Sequence, residues 1–380
     1  MLACDTKEDC DDTLDEWFIH SLKTYTDLHV YQLEHPTRVL EWTSGKTVCV
    51  AGFSPANNEI LELSLPLRLL AEQNKGLRAE RDFKILHGGF CEVPVHSFKH
   101  VPGTRCAVSN DGCSSSLQLW DLGGAHTDVI RRTGQIHVEA QEVTGGRKVC
   151  APLSHHTSGT TVLHGAMTSD VQLTNISTGQ LLCSLHDCPV SQPLSHLRCL
   201  SDGTFAVASV DGSILLWDTR SAARPQLRSD PLCILEPGPW TADVLGNLAL
   251  LSSTSGQTLV LDLRGSDSYV SRAQLKAGGG PSRHVSWAPA LDNYVALSGV
   301  DALVHIYDAS LWGVELQPAH SQFEHKGHAI SSPTDVITTS HAWHPERAHT
   351  LLSAASDASV HVWDWNHQSE PGGSSGPIRE

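Results

Sequence analysis

Apolar and polar positions alternate in short runs along this chain, and the clearest run is 350–365, TLLSAASDASVHVWDW. Thr350 to Ala354 is largely apolar. Ser356, Asp357 and Ala358 break the run, and Val360 to Trp363 then alternates, with His361 opposite Val360 and Val362. A period of two puts successive side chains on opposite faces of a strand, so the stretch predicts strand, turn, strand. The phrase recurs upstream. Asp211 stands six positions before Trp217, Ser255 six before Leu261, Asp301 six before Tyr307 and Asp357 six before Trp363. An aspartate follows each time, at Asp218, Asp262, Asp308 and Asp364.

Three weaker copies precede these. Trp120-Asp121 closes one with a longer turn after Asp111, Val171 to Asn175 is degenerate and lacks the tryptophan, and the first ends near Leu63. Repeat ends therefore fall near 63, 120, 174, 217, 261, 307 and 363, at intervals of 57, 54, 43, 44, 46 and 56 residues. A spacing held while residues drift marks a structural repeat, and roughly 40–45 residues suffices for one four-stranded propeller blade. The long intervals predict insertions in the first two connections and the last.

The two ends answer each other. Residues 366–380, NHQSEPGGSSGPIRE, are too polar and too rich in Gly and Pro for another strand. The last blade would then lack its outermost strand and expose an open edge. Residues 28–33, LHVYQL, read as a strand that fills the gap and closes the ring. Before it, Asp12 or Thr13 caps a predicted helix to about Thr24, with Leu14, Trp17, Phe18, Leu22 and Tyr25 on one face. That face either packs on the propeller or binds a partner behind an acidic lead-in. The organisation expected is an acidic arm and helix over 1–27, a propeller over 28–367 and a disordered tail over 368–380.

Between the repeats, Thr37 to Gly52 opens the first blade. Leu65 to Phe90 forms a long connection bearing Arg68, Lys75, Arg78, Arg81 and Lys84 against Glu72, Glu80 and Asp82. Its charges either solvate a loop, with Leu65, Leu67 and Leu69 as an edge strand, or bind a protein partner. Residues 125–160 are poorly patterned, and Ser154 to Gly159, including His155-His156, reads as a loop. Trp287 and Trp343 precede turn prolines at matching places and are predicted on innermost strands, pointing into blade cores.

Charge narrows the partners. The chain has 380 residues and a net charge of −16 from 26 basic and 42 acidic residues, which argues against a nucleic-acid phosphate backbone. Residues 1–16 hold seven acids and one base. No apolar run approaches the roughly 18 residues of a membrane span, and the acidic start is the reverse of a signal peptide. The 11 cysteines, with no C-x-x-C pair, are then expected reduced and mostly buried.

Chemistry is hard to find. There is no phosphate-binding glycine loop, nucleophile elbow or H-E-x-x-H pair, and the 23 histidines scatter over loops and strands. No small-molecule substrate, cofactor or metal is expected, and no catalytic residue is assigned.

The recurring phrase resembles the WD repeat, which identifies the chain as a member of the WD-repeat family. The resemblance implies an all-β fold: a single seven-bladed WD-repeat β-propeller closed by an N-terminal strand, with a short acidic N-terminal helix. It also implies that His328 bonds the turn residue Asp357, supported by Ser353 and Trp363, as a structural network of the last blade. Trp217-Asp218-Thr219-Arg220 fits the W-D-x-R pattern that family members acting as substrate receptors present to a cullin-type ubiquitin ligase, so Trp217, Asp218 and Arg220 are candidate partner residues. Further segments, TRVLEW (37–42), NEILELSLPLRL (58–69), NKGLRAERDFKILHGGF (74–90) and FKHVPGTR (98–105), resemble one group of animal WD-repeat proteins. That implies a non-enzymatic scaffold, a monomeric ring within a larger complex. Its implied partners are the cleavage-module subunits of Integrator and microtubule-associated proteins. Its implied places are the cytoplasm, spindle pole and cleavage furrow, with the nucleus as a further compartment.

Overall fold

Each of the seven recurring runs supplies the third strand of a four-stranded antiparallel sheet. These strands are Asn58–Ser64, Leu117–Asp121, Gln172–Asn175, Ile214–Asp218, Gln257–Asp262, Val304–Asp308 and Ser359–Trp365. The computed structural model describes residues 17, 19, 21–52, 58–66, 82–112, 115–137, 152–155, 159–185, 191–201, 203–220, 226–229, 238–265, 269–279, 282–331 and 335–366. Six sheets take their strands in chain order; the seventh has the order 25–32, 359–365, 350–355, 338–343. The fold is a seven-bladed β-propeller closed by its N-terminal strand.

A blade cannot bury both its faces alone, so the core is divided among the seams between blades. One apolar cluster joins Val48, Val50, Leu61 and Leu63 of blade one to Leu352, Val360 and Val362 of blade seven. Another joins Ala296, Val304 and Ile306 of blade six to Trp343, Leu351 and Trp363 of blade seven. Further clusters fill the other five seams. Each fully buried Val, Leu or Ile contributes about 1.5–3 kcal/mol of hydrophobic transfer free energy. Trp287 and Trp343 are buried on the innermost strands His284–Trp287 and Trp343's own Thr338–Trp343, as their position before turn prolines predicts.

The closing strand Tyr25–Gln32 starts three residues earlier than its apolar run suggests. It pairs antiparallel with the last strand, Leu28 opposite Trp363 and Gln32 opposite Ser359. Leu28 packs in the six–seven seam, and Tyr31 and Leu33 in the seven–one seam, as alternation requires. Alternation alone would send Tyr25 with Tyr31. A register shift between Tyr25 and Asp27 places it opposite Trp365 instead, in the seam with Leu28. Thus one strand fills both seams of the blade it completes.

Several expectations are corrected. Residues 21–24 are helical, as are Trp17 and Ile19, but Tyr25 already belongs to the strand. Leu22 is 69% exposed, and Ile19 is exposed beside it. The proposed caps and Leu14 lie outside the described residues. Lys84–Cys91 is not connection but the outer strand of blade one, and Leu65 is core rather than edge. Ser154 and His155 lie in Leu153–His155, the innermost strand of blade three, rather than in a loop. That strand is too short for its periodicity to show.

Two outer edges are covered by neighbouring loops. The Gly88 amide donates to the Asp128 carbonyl, and the Gly88 carbonyl accepts in return from the Ile130 amide. A Cβ on Gly89 would sit on the Ile130 carbonyl, which explains that glycine. On blade five, the amides of Arg272 and Gln274 donate to the carbonyls of Gly313 and Gln317. Both loops occupy backbone groups that would otherwise template aggregation.

Deleting residues 25–32 uncovers the last strand and empties part of two seams. The deleted protein is expected to be insoluble or to lack a cooperative melt, checked by size-exclusion chromatography and calorimetry. A soluble, cooperatively melting deletion would refute the closure argument.

Candidate functional site

The tight turn of blade seven is built first. Ala358 adopts φ 67°, and Asp357 Oδ1 accepts from both the amide (3.0 Å) and the hydroxyl (2.6 Å) of Ser359. Since the Ser359 hydroxyl donates to a carboxylate, it accepts from His328 Nδ1 at 2.7 Å. His328 Nε2 then accepts from the Ser353 hydroxyl at 2.8 Å, and Ser353 Oγ accepts from Trp363 Nε1 at 3.1 Å. The result is a one-way chain, Trp363 to Ser353 to His328 to Ser359 to Asp357. It fixes the tautomer of a fully buried imidazole. The structure therefore corrects one expectation: His328 reaches Asp357 through Ser359, not directly.

Two more histidines adjoin this chain. His325 Nε2 and His361 Nδ1 are 3.0 Å apart, and the Tyr25 hydroxyl lies 2.9 Å from His325 Nδ1. The ligating atoms of His325, His328 and His361 lie within 4.8 Å of one another. Their orientation does not suit a metal ion. The rings of His328 and His361 stack at 3.8 Å with 19° between planes, so their lone pairs run side by side rather than converge, and both His328 nitrogens are already bonded to serines. A Cβ on Gly327 would press on His361 Nδ1 at 2.7 Å, so the glycine is required by the histidine pair. Burial holds His325 and His328 well below the ordinary imidazole range and His361 at about 4.

Other blades keep fragments of the chain. Trp120 Nε1 donates to Ser109 Oγ in blade two, and in blade four Ser209 and Ser213 share Asp211. In blade three, His164 Nε2 meets Thr174 Oγ1 at 2.8 Å.

The candidate partner residues are spread out. Trp217 is buried against Phe205, so only Asp218 and Arg220 of that motif face solvent. Arg220, 66% exposed, folds back on Asp218 with Nε and Nη2 each at 3.0 Å, and lowers the pKa of that carboxyl. Arg264 grips Asp262 the same way in blade five, where no tryptophan precedes. The arginine fork thus belongs to a strand end, with or without the motif. Lys84 is exposed at the start of blade one's outer strand. Arg68, Lys75, Arg78 and Arg81 lie outside the described residues.

Sequence reasoning missed two polar devices that hold neighbouring blades together. In the first, Glu62, 1% exposed, takes both guanidinium arms of Arg105 at 2.8 and 2.6 Å, with Thr43 at 3.0 Å and His87 at 2.6 Å. Burial alone would raise its pKa, but Arg105, Thr43 and His87 together lower it. The available signal was parity: Glu62 shares a strand face with Ile60, which is core. The second device repeats around the channel. Glu41 Oε1 accepts from the His100 amide, Ser154 Oγ from the Cys199 amide and Asp243 Oδ2 from the Trp287 amide. Each time a side chain on one innermost strand caps the free edge of the next blade's innermost strand.

Replacing Arg105 with Ala should cost about 1–3 kcal/mol in a urea titration, because Glu62 stays buried with only Thr43 and His87 as partners. Ser353→Ala should cost about 1–3 kcal/mol, since it orphans Trp363 Nε1 and His328 Nε2 together. A loss below ~0.5 kcal/mol in either variant, the usual range of a neutral surface change, would contradict the burial argument.

No family model matches the chain. Three curated proteins, each named Integrator complex assembly factor WDR73, match it along nearly their whole lengths. The Danio rerio protein is 42% identical over 374 residues, covering 93% of this chain and 97% of that protein. Those of Mus musculus and Homo sapiens are each 38% identical, covering 92% of this chain and 97% of their own.

Proposed function

The chain belongs to the WDR73 family of WD-repeat propellers, and we propose that it acts as an assembly factor for Integrator. The observation behind this reading is identity of 42% across 93% of this chain and 97% of the relative's length. A ring whose buried polar groups are spent on holding blades together suits a scaffold that binds proteins and does no chemistry of its own.

The rim offers places for such binding. Phe90 is 77% exposed on blade one's outer strand, and Ile85, Leu86 and Val129 are exposed beside it. The basic connection that enters this strand carries Arg78 and Arg81. We take this side of the ring as the docking face for Integrator cleavage-module subunits, in the cytoplasm and the nucleus. Exposed Ile19 and Leu22 on the N-terminal helical turn favour partner binding over packing on the ring. The microtubule reading rests on resemblance alone. The ligase reading has against it that Arg220 is already engaged by Asp218.

Tagged protein from dividing cells is expected to co-purify with Integrator subunits. A variant carrying Arg78→Glu and Arg81→Glu should lose them while keeping its melting temperature. Retention of the subunits by that variant would move the site elsewhere, and their absence from the unaltered protein would sink the reading. Recovery of a cullin and its adaptor instead would favour the ligase alternative.

A further inference from the structure

The seam between blades six and seven encloses His325, His328 and His361 with no solvent exposure. His325 ends the outer strand Phe323–His325 of blade six, His328 lies in the short helix Gly327–Ser331, and His361 lies in the last strand. The closing strand reaches into this cluster through one residue. Tyr25 sets its hydroxyl on His325 and its ring edge-on against Phe323 at 5.3 Å and Trp363 at 6.4 Å. His325 itself lies flat on Trp363 at 4.6 Å, with 7° between planes.

The cluster is closed around neutral rings. One hydrogen bond joins His325 to His361, and His361 Nε2 is buried without a partner among the described residues. A second proton would have no acceptor there, and two imidazolium ions at this distance would repel strongly. The charged groups of the surrounding elements are engaged elsewhere. Glu324 turns to His305, Lys326 and Ser321, Asp364 to Arg347, and Asp357 to Ser359. Asp357 therefore acts on His361 only at a distance, and Lys326, being cationic, opposes protonation.

We propose that this cluster makes ring closure acid-sensitive: protonation of the His325–His361 pair expels Tyr25 and releases the closing strand from blade seven while other blades stay folded. Tyr25 is the contact that breaks first: its oxygen is engaged by the Lys326 backbone, so its hydroxyl donates to neutral His325 Nδ1, and a proton there turns that acceptor into a donor and strands the hydroxyl hydrogen. The remaining closing-strand residues Leu28 to Gln32 hold by backbone pairing and two shared seams, so loss of Tyr25 loosens the strand from its start.

The direction follows from linkage. Burial keeps all three imidazoles below their ordinary value in the closed ring, with His361 at about 4. An opened cluster would return them to roughly 6.5. Closure is therefore fully favoured above about pH 6.5, and its advantage is lost as the pH falls toward 4. Each proton taken up on opening raises the open population about tenfold per pH unit in that window.

Hydrogen exchange of the full chain at pH 7, 6 and 5, corrected for intrinsic rates, tests this. Strand Leu248–Ser253 of blade five is the reference, since residues 238–275 contain no histidine. The closing strand is expected to lose protection by about tenfold or more per pH unit, and the reference strand by much less. His325→Phe keeps an aromatic ring on Trp363 but cannot take a proton, and should flatten the closing strand's dependence. The slope is read rather than the absolute level, because the variant also loses the Tyr25 bond. If that variant does not fold, His361→Asn serves the same comparison. Parallel loss in both strands of the unaltered protein, or an unchanged slope in either variant, would overturn the proposal.

Discussion

Each blade of this ring has two apolar faces and only its neighbours to cover them. The core is therefore seven seams rather than one centre, and every seam needs both of its blades. That makes closure the constraint on which the rest depends. Blade seven is completed by a strand from the other end of the chain, and its residues divide between two seams. Alternation sends Leu28 to one and Tyr31 and Leu33 to the other, and a single register shift adds Tyr25 to the side of Leu28. Hydrophobic burial supplies the driving force, and the bulge decides where Tyr25 delivers it.

Two polar networks sit inside these seams because their members have found partners. The chain from Trp363 to Asp357 passes one direction of hydrogen bonding through two serines and a neutral histidine. The Glu62–Arg105 fork is a buried charge pair with Thr43 and His87 completing the carboxylate's bonds. Such groups add little net stability when satisfied, but they are costly to leave half-made. They fix which blade meets which, and so do the side chains of Glu41, Ser154 and Asp243 that cap the next blade's edge at the channel. The same logic makes neutral histidines a source of acid sensitivity.

Much of this was legible in the sequence because a repeat tests itself. The six-residue spacing placed four of the third strands and the weaker copies upstream placed the other three, and the polar tail after Trp365 pointed to a missing strand that residues 28–33 could supply. What escaped was set by contacts across seams. Nothing near Glu62 announces Arg105, since the two meet only when blades one and two pack. The resemblance to the WD repeat named His328, Ser353, Asp357 and Trp363 as companions but did not show that Ser359 stands between histidine and aspartate. Residues 84–90 read as part of the connection, whereas Gly89 there leaves room for the Ile130 carbonyl against a strand, a contact that the sequence does not show. The basic residues of the connection before it were legible as charge but not as a site.

The position of the closing strand, not its chain connection, holds the ring together. A permuted chain tests this most directly: it begins at Thr37 and carries residues 25–32 after Trp365 through a flexible Gly/Ser linker. Its thermal unfolding, compared with that of the natural order, is the measurement. The account predicts a soluble monomer that melts cooperatively at a similar temperature, because the strand can reach the same edge of blade seven. An insoluble or non-cooperative permutant, with the linker long enough to span the turn, would contradict it.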